Sequence, residues 1–562
     1  MYLKNLQLSN FRKYKSLLVE FKNGLNVLIG ENDSGKTGII DAIRYLLNTK
    51  SFEPVRFDPK DFYQNNSSLV RAESFEIAGV FDGFNDSEAA NFLEWGYFNQ
   101  DKNFELRLLL KVNLQNNNRI TWDLKAGPEN AETQMDGNAR ELLQVTYLKP
   151  LRDAETELTP GYRSRLAQIL QSHRSFQKTK DKKGQTTQHP LETIIKEANK
   201  NISNFLGDVK ANDQKESENI ITQINQYIEG FKHKDDPRLA ELKIANPELN
   251  KILRSLGLSI EENSSGLGTL NKLFMAAELL HLETDPYNSI RLCLIEELEA
   301  HLHPQAQLRV INTLKNVSSK KNTQFILTTH STTLGASIDL QNLILCNDGG
   351  VYPMGEGETQ LDKGDYKFLQ RFLNSTKANL FFAKGVIMVE GDAENILIPT
   401  IAELIGMPLH QYGVSIVNVS STAFLRYANI FMRKDDKQLN IPVAVVTDLD
   451  VRAMEYYTDR TNDSKIPLYH KVQEKKIKTK DKDFDVSSIY GNYYSNEKEF
   501  KDAIKGIITK GQTKTSRMPN GVNDTVDKWV QEELSVGTID SIRKARYKTI
   551  TSKFDMPVKA FL

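Results

Sequence analysis

A glycine-rich segment near the amino terminus constrains this chain more than any other feature. Residues 30–37 read GENDSGKT, after a strand-like apolar run and before the helical pattern GIIDAIRYLL. The segment fits G-x-x-x-x-G-K-[ST], in which backbone N–H groups surround phosphates, whereas a chance glycine-rich turn would lack this context. Lys36 is predicted to neutralise phosphate oxygens and Thr37 to place its hydroxyl on Mg²⁺. The loop residues predicted to contact the nucleotide are Gly30, Asn32 and Gly35.

Two acidic residues far downstream complete a predicted nucleotide site. The apolar run 292–295 ends in Glu296 and Glu297. Glu296 is predicted to help hold Mg²⁺, and Glu297 to polarise the attacking water. His330 follows the apolar run QFILTT and is predicted to reach the γ-phosphate. The alternatives are solvated glutamates at a strand end and a structural histidine.

A serine- and glycine-rich turn lies between these motifs. Residues 264–269 read SSGLGT and precede the helical pattern LNKLFMAAELL. Because a helix N-terminus can receive an anion, Ser265, Gly266 and Gly268 are predicted to contact nucleotide. A simple helix cap is the alternative.

A second α/β pattern in the carboxyl-terminal part carries different chemistry. The apolar run VIMV ends in Glu390, and Glu394 follows on the next helix. A later apolar run, VAVV, leads to Asp448 and Asp450. Carboxylates at the carboxyl ends of parallel strands converge on one crevice, where their oxygens suit Mg²⁺ or Mn²⁺. One or two such ions can support phosphodiester cleavage, whereas solvated strand-end carboxylates are the alternative.

Composition limits the class of protein. The 562 residues include 73 Lys+Arg and 73 Asp+Glu, which excludes a globally basic nucleic-acid coat. Two cysteines exclude a disulfide framework and favour a reducing, cytoplasmic location. No apolar run is long enough to cross a bilayer, and the first residues do not resemble a signal peptide, so no membrane association is expected.

These motifs resemble two known modules. Residues 1–50 and 264–335, with GENDSGKT, SSGLG, LIEELEAHLHP and TTHS in this order, are similar to ABC-type ATPases of the SMC/RecF kind. The VEGDAE and DLD segments resemble a Toprim domain. Their order in one chain, with YLKPLRDAE at 147–155, resembles the OLD (overcoming lysogenization defect) family of endonucleases. This group includes the nuclease subunit of Gabija anti-phage systems and some retron effectors.

The resemblance implies a fold and an organisation. The fold class is α/β, with an ABC-type ATPase head that contains a helical insertion, followed by an α/β Toprim domain. The implied segments are a first head part (1–159), a helical insertion or dimerisation arm (160–255), a second head part (256–355), a connector (356–384) and a Toprim nuclease domain (385–562).

The resemblance also implies an activity. It implies a DNA endonuclease or nickase that uses Mg²⁺ or Mn²⁺, is regulated by ATP with Mg²⁺, and acts in anti-phage defence. The implied metal-site residues are Glu390, Glu394, Asp448, Asp450 and Glu499, with Glu497 as an alternative to the last. Lys544 is the implied charge-stabilising catalytic residue, with Lys548 and Lys553 as alternatives.

Other implied features concern partners and departures from the family pattern. In such ATPases the signature turn contacts ATP held by a second copy, which implies a homodimer or larger homo-oligomer. A helicase or reverse transcriptase encoded nearby is a further implied partner. Two departures, Glu296 in place of the usual Asp and the absence of LSGG, leave the hydrolysis rate open. Gln64 is the candidate for the glutamine loop.

Two other functions stay open from the residues alone. An ATP-dependent DNA-binding clamp in DNA repair would need no active Toprim centre, although its carboxylates are intact. A topoisomerase-like activity would need a nucleophilic tyrosine in a separate domain. Lysines over 470–517 are suited either to DNA phosphates or to a solvated surface.

Overall fold

The structure is a computed structural model that describes two compact units, 1–355 and 356–562. Up to residue 446 it describes the chain apart from 51–54, 66–69, 116–118, 151–157, 162–163, 179–186, 209–242, 244, 259–266, 285–288, 422, 436 and 438. Beyond residue 446 it describes 477–478, 483–484 and 558–561. The division falls between Gly355 and Glu356, while the predicted boundaries within each unit stay predictions.

The first unit alternates short strands with helices. Its strands are β1 (Tyr2–Phe11), β2 (Tyr14–Glu20), β3 (Leu25–Ile29), β4 (Ser74–Asp82), β5 (Tyr97–Phe98), β6 (Phe104–Leu114), β7 (Ile120–Ala126), β8 (Thr133–Gln134), β9 (Thr146–Leu148), β10 (Leu292–Ile295), β11 (Gln324–Thr329), β12 (Leu343–Asn347) and β13 (Gly350–Pro353). Its helices are α1 (Lys36–Leu47), α2 (Asp86–Ala90), α3 (Gly137–Glu141), α4 (Arg165–Ser172), α5 (Pro190–Asp208), α6 (Leu249–Ser255), α7 (Leu267–Thr284), α8 (Pro304–Lys321) and α9 (Thr332–Ser337).

Two sheets organise this unit. One has the order β2-β1-β4-β6-β7-β8, with β5 paired to β6, and its named strand pairs are antiparallel. The other has the order β13-β12-β3-β11-β10-β9 and is parallel except for the β12–β13 pair. Every residue of β3, β10 and β11 is buried, as expected for parallel strands covered on both faces. Helix α1 packs between the sheets and buries Ile39, Ile43 and Leu46 in one core.

The helical part of the first unit includes α4, α5 and α6. Ala167 of α4 packs against Leu249 and Leu253 of α6 in a separate small core. The named elements among the described residues between 160 and 255 are helices, while the predicted helical insertion over this range stays a prediction.

The second unit is built around a parallel sheet. Its elements are α10 (Lys363–Phe372), β14 (Gly385–Val389), α11 (Asp392–Leu404), β15 (Val414–Asn418), α12 (Phe424–Ala428), β16 (Val443–Val446), β17 (Ile477–Lys478), β18 (Asp483–Phe484) and β19 (Val558–Phe561). The sheet order is β15-β14-β16-β19, and all three pairs are parallel. The predicted α/β fold class is confirmed: an α/β head with helical segments is followed by a second α/β unit.

No helix among the described residues is long and apolar enough to span a membrane.

Candidate functional site

The glycine-rich loop connects β3 to α1. Gly30 and Gly35 have φ angles of 145° and 107°, which side-chain-bearing residues rarely adopt. A Cβ atom would collide with the Cys346 carbonyl oxygen at Gly30 and with the Tyr14 hydroxyl at Gly35. Both glycines are therefore required by the backbone path and by the close approach of neighbouring chain.

Lys36 closes this loop from inside. Its Nζ donates hydrogen bonds to the carbonyl oxygens of Gly30 (2.9 Å) and Glu31 (2.7 Å) and to Ser34 Oγ (3.1 Å). The side chain is buried, and this burial lowers the pKa of its ammonium group. Because these partners are carbonyl oxygens, the ammonium group can exchange them for phosphate oxygens and keep its hydrogen bonds.

A cavity of about 180 Å³ opens beside the loop. Three cationic side chains line it, and Arg12 among them is paired with Asp41 (2.6 Å) and Asp61 (2.9 Å). The lining residues are Arg12, Lys13, Tyr14, Asp33, Ser34, Gly35, Lys36, Thr37, Gly38 and His330. The basic lining at the start of α1 suits a phosphate anion.

Glu296 lies at the end of β10 and faces the start of α1. Its carboxylate accepts a hydrogen bond from Tyr147 Oη (2.6 Å), and the nearby Thr37 hydroxyl acts to lower the pKa of the carboxylate. Burial raises the pKa of Glu296, and the Tyr147 hydrogen bond opposes that rise. A hydroxyl and a carboxylate that meet beside a phosphate loop are the hard oxygen donors that Mg²⁺ prefers, so these residues fit the ion implied by the family.

Glu297 occupies a strained turn beside the same cavity. Its φ of 45° is unusual for a residue with a side chain, and its N–H donates to Thr328 Oγ1 (3.0 Å). Its charge acts on both Lys36 and His330, which places the three residues in one electrostatic environment. The role of Glu297 near the terminal phosphate stays a prediction.

His330 lines the cavity at the end of β11. Burial, and after it the charge of Lys36, lowers the pKa of its imidazole. Glu299 fixes the backbone here, because it accepts hydrogen bonds from the His330 N–H (2.6 Å) and the Thr329 hydroxyl (2.8 Å). The turn after β10 and the end of β11 are thereby joined.

The predicted signature turn is described only in part. Ser265 and Gly266 lie outside the described residues, whereas Gly268 lies in the first turn of α7. A Cβ at Gly268 would approach the His301 carbonyl oxygen to 2.6 Å, so this position is packed against the turn that follows Glu297. Gln64 accepts a hydrogen bond from Arg71 (3.1 Å) and is not among the residues that line the described cavity.

In the second unit, Glu390 directly follows β14 at the carboxyl edge of the parallel sheet. Glu394 accepts a hydrogen bond from the Gly391 N–H (2.9 Å) and so caps α11. Asp392 accepts from Asn418 Nδ2 (2.6 Å) at the end of β15. The ends of two neighbouring parallel strands, β14 and β15, thus present polar side chains at one edge, where ligands bind in open α/β sheets.

The remaining predicted acids follow β16. Val446, the last residue of β16, pairs with Val389 of β14, the residue before Glu390, and the D-x-D segment follows Val446 closely in the sequence. The predicted residues that lie outside the described part of the chain are Asp448, Asp450, Glu499 and Lys544, with the alternatives Glu497, Lys548 and Lys553. Among the described residues, no group of three metal-binding side chains is found.

Two features of the nucleotide site were not predicted. Glu299 and Tyr147 each contact a predicted site residue; both lie in segments that carry the family resemblance, but neither was given a role. The β1–β2 turn that carries Arg12 and Tyr14 was also missed. Its sequence signal is the run FRKY directly after an alternating strand.

The architecture and both sites define a P-loop ATPase head joined to a second α/β unit with strand-end carboxylates. The family model described as "AAA ATPase domain" matches residues 1–334, so the chain belongs to this family. The model described as "Overcoming lysogenization defect protein-like, TOPRIM domain" matches residues 381–450. The second match includes Glu390, Asp448 and Asp450.

Several relatives match this chain over most of its length. The chain is 24% identical to Endonuclease GajA of Bacillus cereus (strain HuB5-5), over 80% of this chain and 77% of the relative. It is 24% identical to the OLD nuclease of Thermus scotoductus, over 84% and 87% respectively. It is 23% identical to the Escherichia coli protein named Retron Ec83 probable ATPase, over 63% and 73%. The predicted resemblance to OLD-type chains is confirmed.

Proposed function

We propose that this protein is a metal-dependent DNA endonuclease or nickase whose TOPRIM centre is regulated by ATP at the AAA head. The observation that carries the proposal is the position of Glu390 at the carboxyl edge of a parallel sheet, beside the strand that leads to Asp448 and Asp450. The named activities of GajA and the OLD nuclease support it. A biological role in anti-phage defence and a cytoplasmic location belong to the same proposal.

The TOPRIM centre would act through its carboxylates. The residues proposed to hold Mg²⁺ or Mn²⁺ are Glu390, Glu394, Asp448, Asp450 and Glu499. One or two such ions, when bound, supply activation of water and stabilisation of the leaving oxygen. Glu390 directly follows β14, so this strand would position its carboxylate toward the bound ion. Lys544 would neutralise charge that develops on that phosphate.

The AAA head would bind ATP through the loop and cavity described above. Lys36 would exchange its carbonyl partners for phosphate oxygens, while Thr37 and Glu296 would hold the accompanying Mg²⁺. Glu297 would orient a water molecule, and His330 would contact the terminal phosphate. Because the Lys36 ammonium is already desolvated, little additional desolvation accompanies phosphate binding.

Assembly is part of the proposal. Ser265, Gly266 and Gly268 would contact ATP held by a second copy, so the active form would be at least a homodimer. A neighbour-encoded helicase or reverse transcriptase would be a further partner. The division into head parts 1–159 and 256–355, arm 160–255, connector 356–384 and TOPRIM domain 385–562 stays a proposal.

Plasmid cleavage tests the nuclease directly. Supercoiled plasmid is incubated with Mg²⁺ or Mn²⁺ and with the wild type, Glu390→Ala or the control Glu403→Ala, which alters an exposed glutamate of α11. We expect nicked or linear product from the wild type and the control. Glu390→Ala should give roughly 100-fold less product, because it loses a carboxylate proposed to hold the metal ion.

Two results would contradict this. Cleavage by Glu390→Ala at the wild-type rate would mean that the active site lies elsewhere. If the plasmid stays intact with every protein while the wild type binds DNA only in the presence of ATP, the alternative function, an ATP-dependent DNA-binding clamp, would be favoured.

A further inference from the structure

Tyr147 makes an unusual pair of contacts with the acidic end of β10. It lies on β9, which pairs in parallel with β10, and its register partner is Leu294. Its hydroxyl donates to Glu296 Oε1 at 2.6 Å, while the Glu296 N–H donates to the Leu148 carbonyl at 3.0 Å. Strand β9 therefore holds Glu296 by both its backbone and its carboxylate.

The Tyr147 ring is itself fixed by the helix that begins at the phosphate loop. The guanidinium carbon of Arg44 lies 4.0 Å from the ring centroid, a cation–π contact. Arg44 Nη1 forms an ion pair with Asp41 at 2.5 Å. Asp41 forms a second ion pair, at 2.6 Å, with Arg12, which lines the cavity. A rotation of the Tyr147 ring would disturb this stack, so the direction of its hydroxyl is set by α1.

We propose that Tyr147 is a positioning residue: its hydroxyl orients the Glu296 carboxylate toward Thr37 and the Mg²⁺ that accompanies ATP, and Arg44 holds Tyr147 in that orientation. This inference rests on the proposed nucleotide site. Partners of this kind, outside the residues that touch the ion, fix the orientation of metal-binding carboxylates.

The identity of the acid explains why such a partner is needed. Glu296 has one more methylene group than an aspartate at the same strand end, and thus one more torsion that must be fixed. Two hydroxyl donors, from Tyr147 and Thr37, approach the carboxylate. Without Tyr147 Oη, the longer side chain keeps its backbone anchor but loses one of the two contacts that set its carboxylate.

The substitution Tyr147→Phe separates this role from packing. It removes the hydroxyl but keeps the ring over Arg44. The matched control is Tyr97→Phe, which removes a hydroxyl that contacts Glu105 (3.3 Å) in the antiparallel sheet. The full-length protein is used throughout.

The primary readout is binding rather than turnover. The melting temperature is measured at fixed ATP while Mg²⁺ is titrated, because a ligand that binds the folded state raises that temperature. We expect the Mg²⁺ concentration at half-maximal stabilisation to rise about 10–100-fold for Tyr147→Phe and to stay unchanged for Tyr97→Phe. The melting temperature without ligand should stay close to that of the wild type.

A second variant, Arg44→Gln, tests the same role independently of Tyr147→Phe. Arg44→Gln removes the cation above the ring, so we expect a smaller shift in the same direction. Its effect should not add to that of Tyr147→Phe, because both act through one hydroxyl. Should Tyr147→Phe fail to fold, Arg44→Gln alone carries the test.

The outcomes are distinguishable. Suppose that Mg²⁺ with ATP stabilises the wild type, and that Tyr147→Phe reaches half-maximal stabilisation at the same Mg²⁺ concentration. This result overturns the role of Tyr147 but leaves the nucleotide site supported. A wild type that does not respond at all overturns the nucleotide site and this inference together. A tenfold or greater shift in Tyr147→Phe alone supports both.

Discussion

The buried ion pair between Arg165 and Glu278 gives a sharp test of how the helical segments are attached to the head. Arg165 Nε and Nη2 donate to the two Glu278 oxygens at 2.6 and 3.0 Å, a bidentate contact that joins α4 to α7. The side chains are only 7% and 2% exposed. Arg165 Nη1 also donates to the Lys50 carbonyl at 2.8 Å, so this cation secures the chain after α1 as well.

The expected cost follows from this burial. Glu278→Ala leaves the Arg165 charge buried without its carboxylate, which should lower the free energy of unfolding by about 3–5 kcal/mol. The double substitution Arg165→Met/Glu278→Leu removes both charges and should restore most of that loss. A matched control is Glu76→Ala, which breaks an exposed pair with Lys111 and should cost about 0–1 kcal/mol.

Urea unfolding of the full chain, followed by tryptophan fluorescence, measures these differences, since Trp95 lies in the core of the first unit. The reasoning is refuted if Glu278→Ala costs no more than Glu76→Ala. It is also refuted if the double variant is less stable than Glu278→Ala, since that would make packing, and not an uncompensated charge, the source of the effect.

Two further predictions concern the nucleotide site. Glu297→Gln should lower ATP hydrolysis about 10²–10⁴-fold and preserve stabilisation by ATP with Mg²⁺, since it removes a general base and not a binding group; unchanged hydrolysis would contradict this. The lowered pKa of His330 means that the unfolded chain binds its proton more readily, so stability falls as the pH drops below 6.5. His330→Gln should lose less stability than the wild type between pH 7 and 5, and parallel unfolding curves would count against that assignment.

The phosphate loop was predictable because all its determinants lie within eight consecutive residues between a strand and a helix. The sequence also allowed prediction of Glu296, Glu297 and His330, because they follow buried strands of a parallel sheet. Their convergence follows from strands that end at one edge.

Tyr147 could not be predicted in the same way. It lies on a strand of three residues, and its contact with Glu296 depends on the pairing of β9 with β10 across a long separation in sequence. Arg165 and Glu278 illustrate the same limit, because helical spacing predicts a helix but not which charged residue meets which across two helices. Glu299 lies within the acidic segment, yet no spacing rule indicates that it accepts the N–H of His330.

The central claim is that nucleotide at the AAA head controls DNA cleavage at the TOPRIM centre. The most direct measurement is the rate of plasmid cleavage with Mg²⁺ or Mn²⁺ as ATP is titrated, for the wild type, Lys36→Ala and the control Lys22→Ala, which alters an exposed lysine. We predict that ATP changes the rate severalfold for the wild type and the control. Lys36→Ala should cleave at a rate independent of ATP, because it lacks the cation that the phosphate loop surrounds. A Lys36→Ala protein that cleaves DNA with the wild-type dependence on ATP would contradict the account.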